Sequence, residues 1–194
     1  MVWLFFGGGV IIALSLLAGS FQTAILYIPL DLAAFVLLIT LVGRRMAAPG
    51  WLEAGSARHY AVAIPFTLVF FAIFIYIIGA FISGVYATAE EIPQNLIAAA
   101  AHPAFVGGVT NILFGMLWDL NRERRGMLAW ADHVVFWGIN LAVTAFTLAI
   151  LFDATGLFAV ITPVLGLSIL TGIITHSLRL QAREATAEAP MATA

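Results

Sequence analysis

The sequence predicts an all-α fold, a polytopic membrane helix bundle with about six transmembrane helices, and three observations support it. Hydrophobic residues make up 63% of the 194 residues, whereas charged residues make up only 9%. Soluble domains carry roughly a quarter charged residues, so this chain has too few charges to cover itself in water. Its apolar runs are long enough to be spans, since a helix needs roughly 20 residues to cross a bilayer, and its arginines cluster in alternate connections.

Six apolar runs, separated by charged or turn-forming residues, are the candidate spans. The first run follows no basic segment and leads almost directly into the second, so we expect a retained helix rather than a cleaved signal peptide. The runs cover Val2 to Ala18, Thr23 to Val42, His59 to Tyr86, Leu96 to Asp119, Leu128 to Phe152 and Leu157 to Leu180. We therefore predict one transmembrane helical domain over residues 1–181 and a disordered C-terminal tail over residues 182–194.

The arginines predict how the spans are oriented, because arginine near the ends of spans collects on the cytoplasmic side. The connection between the second and third runs, the connection between the fourth and fifth, and the end of the sixth hold Arg44, Arg45, Arg58, Arg122, Arg124, Arg125, Arg179 and Arg183. The other connections carry only acidic charges, Glu90, Glu91 and Asp153. We expect a multi-pass protein of the cell inner (cytoplasmic) membrane with both termini in the cytoplasm.

The composition also excludes several kinds of chemistry. The chain has no cysteine, which rules out disulfides, thiolate metal ligands and cysteine nucleophiles. Its net charge is −2 and it contains no lysine, so it offers no basic patch for a nucleic acid. We expect the chain to lie in the lipid bilayer and to bind no nucleic acid.

Polar residues within the spans are the candidates for function, since they are costly in hydrocarbon. His102 lies about six residues into the fourth run from its outer end, and Asp31 lies at a similar depth in the second. Asp31 fits either a proton- or ion-carrying carboxylate or a side chain that bonds a backbone carbonyl freed by Pro29. The residues alone do not separate these roles.

The remaining polar residues favour simpler roles. Asn111 and Asn140 lie near mid-membrane, where amides typically bond across helices and small neighbours allow close packing. Three further histidines, His59, His133 and His176, lie near inner ends of spans. We expect their imidazoles to reach the water of the headgroup layer.

One region resembles a known family. The segment from His102 to Gly115, the arginine-rich connection after it, and the Phe-Trp-Gly of residues 136–138 are similar to helices two and three of the haem-copper oxidase catalytic subunit. The C-type branch is the closest, and the resemblance spans residues about 59–155. Gly108, Asn111, Leu113 and Phe114 match the family pattern.

The resemblance implies that His102 is an axial ligand of haem b. Helical spacing places Phe105, Val106 and Val109, which follow His102 by three, four and seven residues, on its own side of the helix, where they would contact the porphyrin. Asp31 would support the site. The family's second haem ligand and its copper ligands have no counterpart here, so whether the chain is an enzyme stays open, and it is not a complete oxidase by itself. A homodimer presenting His102 twice, or a respiratory-chain partner, would complete the ligand set.

The predicted function is therefore a haem-binding membrane protein for electron transfer, or for haem or gas sensing or carrying. Two alternatives from other classes remain. In the first alternative, the chain is a structural or assembly subunit of a respiratory complex and has no cofactor. In the second, it is a small-solute or proton transporter that uses Asp31.

Overall fold

The computed structural model describes residues 2–20, 23, 26–46, 50–124 and 126–187. Over these residues the chain is helical, with no β-strand. The long helices in this part of the chain are α1 (Val2–Leu17), α2 (Tyr27–Met46), α3 (Ser56–Ile82), α4 (Gln94–Leu120), α5 (Ala129–Leu151) and α6 (Phe158–Ala187). They form two compact units, Met1–Trp51 and Leu52–Ala194.

Four of these helices, α3 to α6, are long and apolar enough to cross a membrane. Large apolar side chains cover much of their outer surfaces; Leu141, Val160 and Leu167 are each more than 60% exposed. Water-soluble monomers rarely expose apolar surface on this scale. The predicted all-α class is therefore confirmed for the described residues, and the four apolar helices agree with the predicted membrane character. The count of six spans stays a prediction.

The first unit pairs α1 with α2. Gly19 has a φ of 65°, and the Ser20 N–H donates to the Ser15 carbonyl at 2.9 Å, which closes the end of α1. Asp31 lies in α2, but its side chain is outside the described residues. Its predicted role as support for a haem, or as a transport carboxylate, therefore stays a prediction.

In the second unit, successive helices run in opposite directions. Tyr60 near the start of α3 donates to Asp119 near the end of α4, over 3.1 Å. Arg179 near the end of α6 pairs with Asp132 near the start of α5, over 2.8 Å. The start of α3, the end of α4, the start of α5 and the end of α6 therefore share one end, which we call the arginine end.

The helix boundaries extend or shorten the predicted spans by a few residues. Helix α3 begins at Ser56 and ends at Ile82, where Gly84 has a φ of 76° and the Val85 N–H donates to the Ala80 carbonyl at 2.8 Å. This pair of features is the usual glycine-closed helix end. Helix α6 runs to Ala187, so residues 182–187 are helical rather than disordered; residues 188–194 lie outside the described part.

The core of the second unit lies among all four helices. Its buried apolar side chains are Phe66, Phe114, Val135, Ile139 and Val143. A Cβ at Gly172 would collide with the ring of Phe114, so this phenylalanine packs directly on the backbone of α6. Close approach over small residues is the usual way in which membrane helices pack.

Candidate functional site

His102 lies where α4 changes its helical geometry. The first part of α4, Gln94–His102, is α-helical, and Pro103–Val109 forms a π-helical segment before the α-helix resumes at Thr110–Leu120. Pro103 has no backbone N–H, so the ordinary ladder is interrupted at this position. Short π-helical segments inside α-helices occur frequently at functional sites.

One ring nitrogen of His102 forms a hydrogen bond to the backbone, and this bond determines which ring nitrogen carries the proton. Nδ1 lies 2.8 Å from the Ala98 carbonyl oxygen, which can only accept, so Nδ1 is the protonated donor. In the neutral ring, Nε2 then carries a lone pair. Metal-bound histidines are typically held in this way, with the second ring nitrogen donating to a carbonyl or carboxylate.

A cavity of about 230 Å³ lies beside this ring. The walls combine apolar side chains with one hydroxyl and one imidazole: His102, Val106, Val143, Phe146, Thr162 and Leu165. The His102 and Phe146 ring centroids are 4.9 Å apart, and Phe146 in turn stacks on Phe158 at 4.6 Å. The cavity thus presents an imidazole to a largely apolar space.

The structure brings only part of the predicted porphyrin contacts to His102. Val106 lines the cavity with it, whereas Phe105 is 67% exposed and Val109 is 45% exposed on the surface of the helix. The spacing argument assumed ordinary α-helical turns. In the π-helical segment each turn holds more residues, which rotates the side chains after His102 away from their expected positions.

A chain of amide hydrogen bonds connects three helices deep in the second unit. Asn111 Nδ2 donates to Asn140 Oδ1 at 2.8 Å and to the Gly107 carbonyl at 2.8 Å. Asn111 Oδ1 lies 3.0 Å from Nδ1 of His59, and a carbonyl oxygen accepts only, so His59 is the donor. The predicted bonding of Asn111 and Asn140 across helices is confirmed.

Two of the three histidines expected at the membrane surface are buried instead. His59 is 2% exposed and His176 is 3% exposed. They lie on either side of Phe114, with ring centroids 6.3 Å and 5.9 Å from it, and His176 also contacts the amide of Asn121 at 3.2 Å. Only His133 of the three is exposed, so the expectation was wrong for His59 and His176.

The buried charges at the arginine end were not predicted from the sequence. Arg179 is 1% exposed and donates to both carboxylate oxygens of Asp132, at 2.8 and 2.9 Å, and to the Met127 carbonyl. Arg58 is fully buried and lies against the Phe136 ring, 4.4 Å from its centroid. The available signal was an aspartate four residues inside the fifth predicted span, because a carboxylate there needs a cationic partner.

No group of three or more histidine, aspartate or glutamate side chains suited to a metal ion occurs in the described part of the chain. A haem iron needs only one or two protein ligands, and a neutral imidazole facing an apolar space fits that requirement. The cavity is smaller than the roughly 300–1,000 Å³ of typical ligand sites. The cavity would therefore hold only part of a macrocycle, and a haem at His102 would need a further surface.

In comparisons with known proteins, no family model, curated protein or solved structure matches this chain. Over the described residues, the fold and composition define the class, an all-helical protein with four helices long and apolar enough to span a bilayer.

Proposed function

We propose that the chain is a haem-b-binding integral membrane protein in which Nε2 of His102 is an axial ligand. The observation that carries this proposal is the hydrogen bond from Nδ1 to the Ala98 carbonyl beside a largely apolar cavity. Together they leave a neutral imidazole nitrogen for iron in surroundings of low polarity. When bound, the haem would supply one-electron redox chemistry or a gas-binding iron.

Two copies of the chain would complete the site. The cavity is too small to enclose a whole porphyrin, so a second surface is needed, and a two-fold homodimer would present His102 from the opposite side. A respiratory-chain partner would fill the same position. The function then lies in electron transfer, or in sensing or carrying haem or a gas, and not in a complete oxidase.

The proposal includes the membrane placement derived from the arginines. The second unit already carries Arg58 and Arg179 at the same end, and the connection that holds Arg122 and Arg124 follows α4 at that end. We place this end on the cytoplasmic side of the inner membrane, with six spans and both termini in the cytoplasm.

The direct test is the visible absorption spectrum of the full chain purified after expression with added haem. A Soret band and low-spin α and β bands are expected. A protein that is folded by circular dichroism but takes up no haem would contradict the proposal.

One competing function has an observation in its favour. The hydrogen bonds of Asn111, Asn140 and His59 join helices without facing the cavity, as in a subunit whose polar residues serve only packing. A structural or assembly subunit of a respiratory complex would show the same contacts and no haem spectrum. The transporter alternative rests on Asp31, whose side chain lies outside the described residues.

A further inference from the structure

Arg58 is a buried cation without a carboxylate partner in the described part of the chain. The nearby carboxylate of Asp132 gives both of its oxygens to Arg179. Arg58 instead donates through Nη2 to the main-chain oxygen of Asp132 and contacts Nδ1 of His133 at 3.4 Å. Among the described residues, the arginine end thus holds two buried guanidinium groups but one buried carboxylate. An uncompensated buried charge is destabilising.

The guanidinium of Arg58 also has one N–H group without a hydrogen-bond acceptor among the described residues. This group is Nε, which is buried. The side chain lies between the Phe136 ring and His133, and His133 is exposed on the outer surface of α5. Arg58 therefore contacts a side chain, the imidazole of His133, that faces the outer surface of α5.

The surface around His133 has the composition of a membrane–water boundary. Trp130 and Trp137 precede and follow His133 on α5 by three and four residues, and they are 61% and 45% exposed. Tryptophan is enriched at the level of lipid headgroups. Further along the same helix, the exposed side chain of Leu141 suits an acyl chain.

We infer that this surface binds the phosphate of an anionic phospholipid, with His133 as the outer contact and Arg58 as the charge behind it. Guanidinium groups suit phosphate oxygens, and basic pockets between transmembrane helices commonly hold anionic headgroups. Rotation of His133 would bring the phosphate to Nη1, the Arg58 nitrogen that His133 contacts. A zwitterionic lipid fits less well, because its own ammonium group offsets the phosphate charge. The inference does not depend on haem at His102. His102 lies in the first half of α4, whereas the arginine end is at the end of that helix.

Native mass spectrometry of the full chain, equilibrated with equal amounts of phosphatidylglycerol and phosphatidylcholine, tests this inference. The wild type should retain phosphatidylglycerol preferentially. Arg58→Gln should reduce that retention about fivefold, the weight of one arginine near an anionic surface, whereas Arg122→Gln at an exposed position should not. Equal losses in the two variants would show general charge attraction and overturn the inference.

His133→Glu provides a second test at an exposed position. The introduced carboxylate should pair with Arg58 in place of the phosphate. The lipid-free variant should then unfold at a higher temperature than the wild type, and phosphatidylglycerol should no longer raise its Tm. His133→Gln, the uncharged control, should keep the lipid response. Persistence of that response in His133→Glu would overturn the inference, as would inorganic phosphate raising the wild-type Tm as much as the lipid does.

Discussion

Asn111 on α4 donates to the side-chain oxygen of Asn140 on α5 over 2.8 Å, and Asn111 is completely buried. The same Asn111 accepts from His59 on α3, so one amide connects three helices. A buried amide has no water to replace a missing partner, which makes this connection specific to one arrangement of the helices.

Replacing Asn111 by Ala should therefore destabilise the bundle. His59 and Asn140 would each keep a buried polar group without its partner, and we expect a loss of about 1–2 kcal/mol in the free energy of unfolding. Reversible unfolding in mixed detergent micelles measures it. Thr171→Ala is the control, since the Thr171 hydroxyl bonds the Leu167 carbonyl of its own helix. Equal stability of the two variants would contradict the role given to Asn111.

Gly172 should tolerate no side chain, because a Cβ there would meet the ring of Phe114. We expect Gly172→Ala to cost about 1–3 kcal/mol, the usual range for overpacking. The matched control is Gly166→Ala on the same helix, where nothing lies within 4 Å of the added Cβ. The same unfolding measurement applies, and the added change Phe114→Leu should restore part of the loss if the ring is its cause.

The buried pair of Asp132 and Arg179 should behave as a unit. Asp132→Asn leaves a guanidinium that is 1% exposed without its carboxylate, and we expect a loss of about 3–5 kcal/mol in the free energy of unfolding. The double replacement Asp132→Leu with Arg179→Met removes both charges and should cost less than Asp132→Leu alone or Arg179→Met alone. Additive losses in this double-mutant cycle would show that the two side chains do not depend on each other.

Much of the fold followed from simple properties of the sequence. The lengths of the apolar runs determined the helices α3 to α6 to within a few residues at most ends, and the small and amide residues of α4 indicated helix contacts. It was harder to predict whether each polar side chain points into the bundle or towards its outer surface. His59 and His176 lie near helix ends, where position alone does not distinguish an inward from an outward side chain.

The surroundings of His102 were predictable only in part, for a physical reason. Helical spacing correctly placed Val106 on its side. The π-helical segment after Pro103 changes the number of residues per turn, and no periodicity computed for an α-helix anticipates that change. Phe105 and Val109 were predicted on the side of His102 from α-helical spacing, which the backbone between Pro103 and Val109 does not follow.

The orientation of the chain can be tested with reporter tags. Tags inserted after Arg125 and at the C-terminus should report the cytoplasm, because both positions follow arginine-rich ends of spans, whereas a tag beside Glu90 should report the opposite side. Fusions of alkaline phosphatase and green fluorescent protein at each site give complementary signals. A C-terminal tag found outside would contradict the count of six spans.

The haem proposal makes its sharpest prediction at His102. In His102→Ala the axial nitrogen is lost while the apolar walls of Val143 and Phe146 remain, so the low-spin spectrum should disappear or become five-coordinate. His133→Ala is the matched control, because this imidazole is exposed and lies at the arginine end, away from the cavity.

His59 and His176 are unsuitable controls, since both are buried and bonded to amides, and their loss would affect folding as well as any spectrum. If two copies of His102 hold one haem, the purified protein should contain one haem per two chains and should lose its dimer together with its haem. A ratio of one haem per chain would favour a ligand from a partner protein instead. A normal low-spin spectrum in folded His102→Ala would show that the iron is bound elsewhere, because no other imidazole lines this cavity.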